Sequence, residues 1–207
     1  MTALWRKGRG KKPPKMDRRE AWQEVARSVG GTFEQGKRSS ADTVAVGHGP
    51  WTITLDTYTV HTGQVAITYT RAKALFIGQG DPKLLVRKRN FFDTILENVG
   101  FGGVAPGDRA FAARYVVKGH PESRLRTLLT PGLIAALLAD SSLTVAVKKA
   151  ARKYRKAHGP QACQAAVYTT GVIAEPNRIV GLITVARETL SALEAAGMAT
   201  RKIVEDA

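Results

Sequence analysis

The chain has 207 residues, enough for a large core in one domain, and 43% of them are hydrophobic, which excludes wholesale disorder. Lysine and arginine number 32 against 17 acids, a net charge of +15. The longest apolar runs, 132–139 and 180–186, are far short of the roughly 20 residues that span a bilayer. The single cysteine, Cys163, excludes an internal disulfide and favours a reducing, cytoplasmic setting.

The excess charge is clustered. Residues 1–20 carry eight Lys/Arg and two acids, and residues 148–156 carry six Lys/Arg and no acid, so twelve of the fifteen excess charges sit in two short segments. Clustering of this kind is the layout expected when a polyanion is met at particular places.

Residues 1–16 combine glycine, proline and six like charges, which predicts a flexible basic arm rather than a core element. No apolar signal-peptide core follows its charges. Asp17 is placed as the N-cap of a helix, with Glu20 completing a capping box and Trp22, Val25, Ala26 and Val29 forming the buried stripe. Gly30-Gly31 stops it. A polar loop over 36–42 leads into an antiparallel meander. Its strands are 43–46, then Trp51, Ile53 and Leu55 alternating with Thr52, Thr54 and Asp56, then Val65, Ile67 and Tyr69 alternating with Ala66, Thr68 and Thr70. The threonine-rich set reads as the solvent face. Residues 83–89 form a short strand ending on Arg87, Lys88 and Arg89. Residues 91–99 read as helix. The glycine-rich stretch 100–107 lacks the lysine and Ser/Thr of a P-loop and the spacing of a dinucleotide fingerprint, so it reads as a connector.

The densest local signal lies in 107–140. Phe111, Ala113, Tyr115 and Val117 alternate with Ala112, Arg114, Val116 and Lys118, which predicts a strand with one face at least half solvated. Gly119-His120-Pro121 breaks it, 124–129 gives one or two helical turns, and Thr130 with Pro131 opens a further helix whose stripe is Leu133, Ile134, Leu137 and Leu138. The pattern Gly107-Asp108, Phe111, Val116-Val117-Lys118-Gly119, Leu128-Leu129-Thr130-Pro131, Leu133 and Leu137 resembles a motif of uncharacterised bacterial proteins, with similarity reaching from about 22 to 193. In those proteins an aspartate often follows the phenylalanine, where this chain has Ala112. The resemblance implies a shared fold and carries no activity.

Leu143, Val145 and Val147 alternate as a strand that runs into the basic segment 148–156, which admits a strand or a helix reading. Neither makes a membrane helix, since its apolar side is only Ala150, Ala151 and Tyr154. Gly159-Pro160 ends it. Residues 165–173 form a strand pairing back on 143–150. The longest helix starts at Glu175-Pro176 and runs to about 196, with Ile179, Leu182, Ile183, Ala186, Leu190 and Leu193 as its apolar stripe and Gly197 as its stop. Residues 198–207 read as a frayed tail.

The fold expected is α+β: one domain over 17–197, with a mainly antiparallel sheet of five to seven strands and the N-terminal, central and C-terminal helices on one face. The four histidines sit beside turn residues without ligand spacing, and no nucleophile elbow is present, so neither a catalytic site, a metal nor a cofactor is implied. Asp93 and Glu97, one helical turn apart, read as a solvated face balancing 87–89. The expected function is non-enzymatic binding of a polyanion, DNA or RNA, through its backbone. The contacts would be Arg6, Lys7, Arg9, Lys11, Lys12 and Lys15 of the arm, Arg87, Lys88 and Arg89, and Lys148, Lys149, Arg152, Lys153, Tyr154, Arg155 and Lys156. No recognition helix is evident, so sequence specificity is not expected. The alternatives are docking on an acidic protein partner, as an interaction or structural module, and peripheral association of the arm with an anionic membrane.

Overall fold

The computed structural model describes residues 17–37, 41–89 and 107–200. The arm, the helix expected over 91–99 and the stretch 100–106 lie outside them. The described elements are α1 (Arg18–Ser28), β1 (Thr32–Glu34), β2 (Thr43–His48), β3 (Trp51–Thr62), β4 (Val65–Gly78), β5 (Lys83–Lys88), α2 (Arg109–Arg114), β6 (Tyr115–His120), α3 (Glu122–Leu128), α4 (Pro131–Ala139), β7 (Thr144–Lys149), α5 (Arg152–His158), β8 (Ala162–Thr170), α6 (Pro176–Ala195) and β9 (Ala199–Thr200). The strands form one antiparallel sheet in the order β1-β2-β3-β4-β8-β7-β5-β6, with β9 added on β4. The α+β class is as expected. The strand number exceeds five to seven because two very short strands, β1 and β9, extend the sheet.

The register aligns a single apolar row across the sheet: Val44, Leu55, Ala72, Val167, Val145, Val86 and Val117 stand opposite one another on successive strands. All seven are buried. Above this face lies α6, packed against β3, β4 and β8 below and against α1, α3 and α4 beside it. Pro176 occupies its first turn and its stripe, Ile179, Leu182, Ile183, Ala186, Leu190 and Leu193, is buried. It closes as a Schellman turn: Gly197 at φ +63° donates to Glu194 O at 2.9 Å, and Met198 N to Leu193 O at 2.8 Å.

The same turn corrects the expected tail. Met198 is buried and Ala199-Thr200 pair with Ile77 and Gly78 of β4, because β3 leaves β4 at Lys73 and frees that edge for them. A second correction concerns 111–118. Asp108 caps a helix by accepting from Phe111 N at 2.7 Å, and the strand begins only at Tyr115. A local carboxylate cap on an alanine-rich turn outweighs the two-residue alternation there. A third is one of side. Register opposes Tyr69 to Tyr58 and Thr70 to Thr57, so Thr70, not Tyr69, points at the helices. Thr70 Oγ1 donates to Gly171 O at 2.8 Å and accepts from Ile173 N at 3.1 Å. The strand expected over 165–173 runs from Ala162 to Thr170, since Gly171 at φ +90° turns the chain away. The stop expected at Gly119 is also displaced, since β6 continues to His120.

Buried polar groups join the layers. Trp22 Nε1 donates to Ile173 O at 3.0 Å, tying α1 to the β8–α6 connection. Tyr115 Oη donates to Leu137 O at 2.7 Å, and burial pushes its phenol up to about 12. Asp42, 4% exposed, accepts from Gly36 N at 2.9 Å and Arg18 NH2 at 2.6 Å, holding the loop after β1 to α1. Asp17 caps α1 through Arg19 N at 3.2 Å.

Gly119 stands opposite Leu84. A Cβ there would meet the Lys83 carbonyl oxygen and, at 2.7 Å, Leu125 Cδ2. Gly119→Ala is therefore expected to lower stability by about 1–3 kcal/mol, read as a lower urea midpoint with unchanged m-value. Burial pushes the Asp42 carboxyl up, but Gly36 N–H, Arg19 and Arg18 outweigh it and hold the group below its usual range. The stabilisation is complete above the unfolded carboxylate value, about 3.9, and is lost as pH falls through the lower folded value. Asp42→Asn is expected to cost about 1–3 kcal/mol at neutral pH, and the deficit should shrink in urea melts at progressively lower pH.

Candidate anion-binding face

The helices α1, α3, α4 and α6 occupy one side of the sheet, and the register fixes what the other side carries. Thr54, Lys73, Ala166, Ala146, Leu85 and Lys118 form a row across six strands. Beside it run Leu75, Gln164 and Lys148, and on the other flank Asp56, Arg71, Tyr168 and Thr144. Side chains on alternate positions share a face, so Lys83 and Arg87 belong with Leu85. The described strands hold eight Lys/Arg and only two acids, Glu34 and Asp56, and six of those eight cations lie on this face.

The small side chains of Ala146 and Ala166 leave a trough. At its β6 end a shallow groove of about 350 Å³ has Leu85 and Ala146 as floor and Lys83, Lys118 and Lys148 as rim. Lys83 pairs with Asp81 at 3.2 Å. Lys118 and Lys148 are exposed and make no ion pair among the described residues.

At the β3 side the cations are organised around Asp56. Arg71 grips it from two nitrogens, Nε to Oδ1 at 2.9 Å and NH2 to Oδ2 at 2.7 Å, and Lys73 Nζ sits 3.0 Å from Oδ2. The Arg71 guanidinium also lies 4.3 Å from the centroid of Tyr58. Tyr58 stacks on Tyr69 with centroids 5.3 Å apart, and Tyr69 meets Tyr168 edge-on at 6.0 Å. Burial raises the phenols of Tyr58 and Tyr168. Two cations on one carboxylate leave this end of the face positive as well.

The basic segment 148–156 divides between a strand and a helix. Lys148 lies on the open face near the end of β7; Lys149, the last residue of the strand, points the other way and meets Asp81 Oδ1 at 3.5 Å. The helix α5 then lies over the open face, where Tyr154 lines a small cavity with Thr52, Thr54, Lys73 and Gln164. Arg152, Lys153 and Lys156 are exposed, Lys153 sits 4.6 Å from the Tyr154 ring centroid, and Arg155 Nε is occupied by Ala150 O at 3.1 Å. Arg152 and Lys153 stand in the first turn, and the helix has no side-chain cap and no acid there. Cations at that end oppose the helix dipole, so local helix stability does not account for them.

The other expected contacts separate. Arg6, Lys7, Arg9, Lys11, Lys12 and Lys15 lie outside the described residues. Arg87 NH1 donates to Lys88 O at 3.3 Å, and Lys88 is exposed at the end of β5. Arg89 donates to Ala112 O at 2.9 Å and Tyr115 O at 3.3 Å, which fastens the α2–β6 junction. Arg71, Lys73 and Lys118 were missed as site residues in the sequence because a lone cation or a pair does not stand out as a charge cluster along the chain. Only strand alternation combined with register brings them together.

Among the described residues no three His, Cys, Asp or Glu side chains converge as a metal site, and no helix is long and apolar enough to cross a membrane. No protein-family model and no curated protein matches the chain. Among solved structures, the crystal structure of the mycobacterial trehalose monomycolate transport factor A, TtfA, overlays with a TM-score of 0.46 at 9% identity, over 84% of this chain and 92% of that one.

Asp56→Asn is expected to cost about 1–3 kcal/mol, because Arg71 and Lys73 lose the carboxylate they share. Because the pair is only partly exposed, the loss in urea melts should change little between low and moderate salt.

Proposed function

We propose that this protein binds a polyanion, a nucleic-acid backbone, on the open face of its sheet and along α5. The observation that carries the reading is the position of the cations: Lys118 and Lys148 without an ion partner among the described residues, and Arg152 and Lys153 against the dipole of their own helix. Charges that do nothing for the fold and collect on one side favour an external anion. With Lys83, Lys118, Lys148, Arg152, Lys153 and Lys156 about six phosphates can be met, and the basic arm of residues 1–16 would add to that number. No helix among the described residues presents base-reading side chains to a groove, so the reading is of backbone contact without strong sequence preference.

Fluorescence anisotropy of a labelled oligonucleotide across a salt series tests it. Log affinity is expected to fall linearly with log salt at a slope of about −4 to −5, the single strand at the shallower end. The double variant Lys118→Glu, Lys148→Glu should weaken binding by about tenfold or more and make the slope shallower by about 2, with the unfolding free energy from urea melts changed by no more than about 0.5 kcal/mol. No binding at low salt, or affinity independent of salt, overturns the proposal.

A further inference from the structure

We propose a second site, independent of the basic face: a cavity at the end of the sheet that takes a nucleoside. It opens where β4 and β7 end and β8 begins, has a volume of about 780 Å³, and is lined by Asp81, Lys149, His158, Pro160, Cys163 and Thr200 among others. That size is in the range of small-molecule sites.

Among the described residues four buried side-chain polar atoms have no hydrogen-bond partner, and three of them, Asp81 Oδ1, His158 Nε2 and Thr200 Oγ1, belong to residues of this cavity. They come from separate elements, the β4–β5 loop, the end of α5 and β9. Each unsatisfied group costs about 1–3 kcal/mol, so three around one space point to something that bonds them. The Asp81 side chain is 39% exposed, and its Oδ1 forms an ion pair with Lys149 Nζ at 3.5 Å, long enough to leave room for a closer donor. Asp81 is also the one described residue other than glycine with positive φ, +53°. Aspartate and asparagine adopt that conformation more readily than most other side chains.

The lining selects the chemistry. Asp81 Oδ1 only accepts, so the ligand must donate to it, which disfavours phosphate or any other bare anion at that point. The Thr200 hydroxyl donates or accepts, the His158 nitrogen does so according to its tautomer, and Lys149 donates. Ile77, Pro82 and Pro160 supply an apolar wall. A neutral molecule joining a flat apolar ring to several hydroxyl and amino groups satisfies all of these, and nucleosides are that class.

Cys163 lines the cavity and is the chain's single cysteine, 2% exposed, which makes it a reporter of occupancy. The test is titration of the full chain with adenosine, cytidine and uridine, followed by backbone amide shifts and by iodoacetamide alkylation of Cys163, with inorganic phosphate and glucose alongside. At least one nucleoside is expected to give saturable shifts at residues 79–81 and 163 and to slow alkylation. Asp81→Asn, which tolerates the positive φ, and Thr200→Val should each weaken that binding by about tenfold while leaving the remaining amide spectrum in place. No saturable shift with the three nucleosides up to about 10 mM, tighter binding of phosphate or glucose, or affinity unchanged in both variants overturns the proposal.

Discussion

Everything in this molecule depends on burial from one side only. A row of aliphatic side chains crosses the sheet from Val44 to Val117, and α6 with its neighbouring helices covers that row. Each strand alternates, so sealing one face commits the other to water or to a partner. A fold with helices on both sides would need apolar residues at Thr54, Lys73, Lys118 and Lys148. Among the described residues the second side carries α5 and is otherwise bare sheet.

That commitment explains why the open face is polar but not why it is basic. Threonine and serine would serve solubility equally well, and the face carries some threonine. Instead six of the eight strand cations sit there with both strand acids, Glu34 at the β1 edge and Asp56, and Asp56 is held between two of the cations. Like charges gathered in this way repel one another and lower stability a little, which a solvent-facing surface has no need to accept. The helix α5 repeats the pattern with cations in its uncapped first turn. An anionic partner, as proposed, would relieve both costs together.

Much of the layout was legible along the chain. Thr130 and Pro131 announce α4, Gly197 ends α6, and the meander 43–70 declares itself through threonine, valine and aromatic content, because each of these signals acts within a few residues. The failures arose where a second interaction competed. Asp108 capped a helix inside an apparent strand, Gly171 cut β8 short, and Met198 found a buried place that composition does not mark. The side of Tyr69 was misread because Val65 and Ile67 are apolar yet lie at the exposed end of a long hairpin, while Thr70 reaches the helices with both its hydroxyl bonds satisfied. Of the candidate site, the run 148–156 was visible as a charge cluster. Lys73 and Lys118 were not, since strand pairing between distant segments brings them to one surface. The cavity beside Cys163 was equally hidden, for its polar atoms come from parts of the chain as distant as Asp81, His158 and Thr200.

The most direct test of the one-sided account is an amide chemical-shift footprint of a short single-stranded oligonucleotide on the full chain at low salt. The account predicts perturbations at Lys73, Lys118, Lys148 and along α5, with α1, α4 and α6 unmoved. A footprint on the helical side, or one confined to residues 1–16, contradicts it.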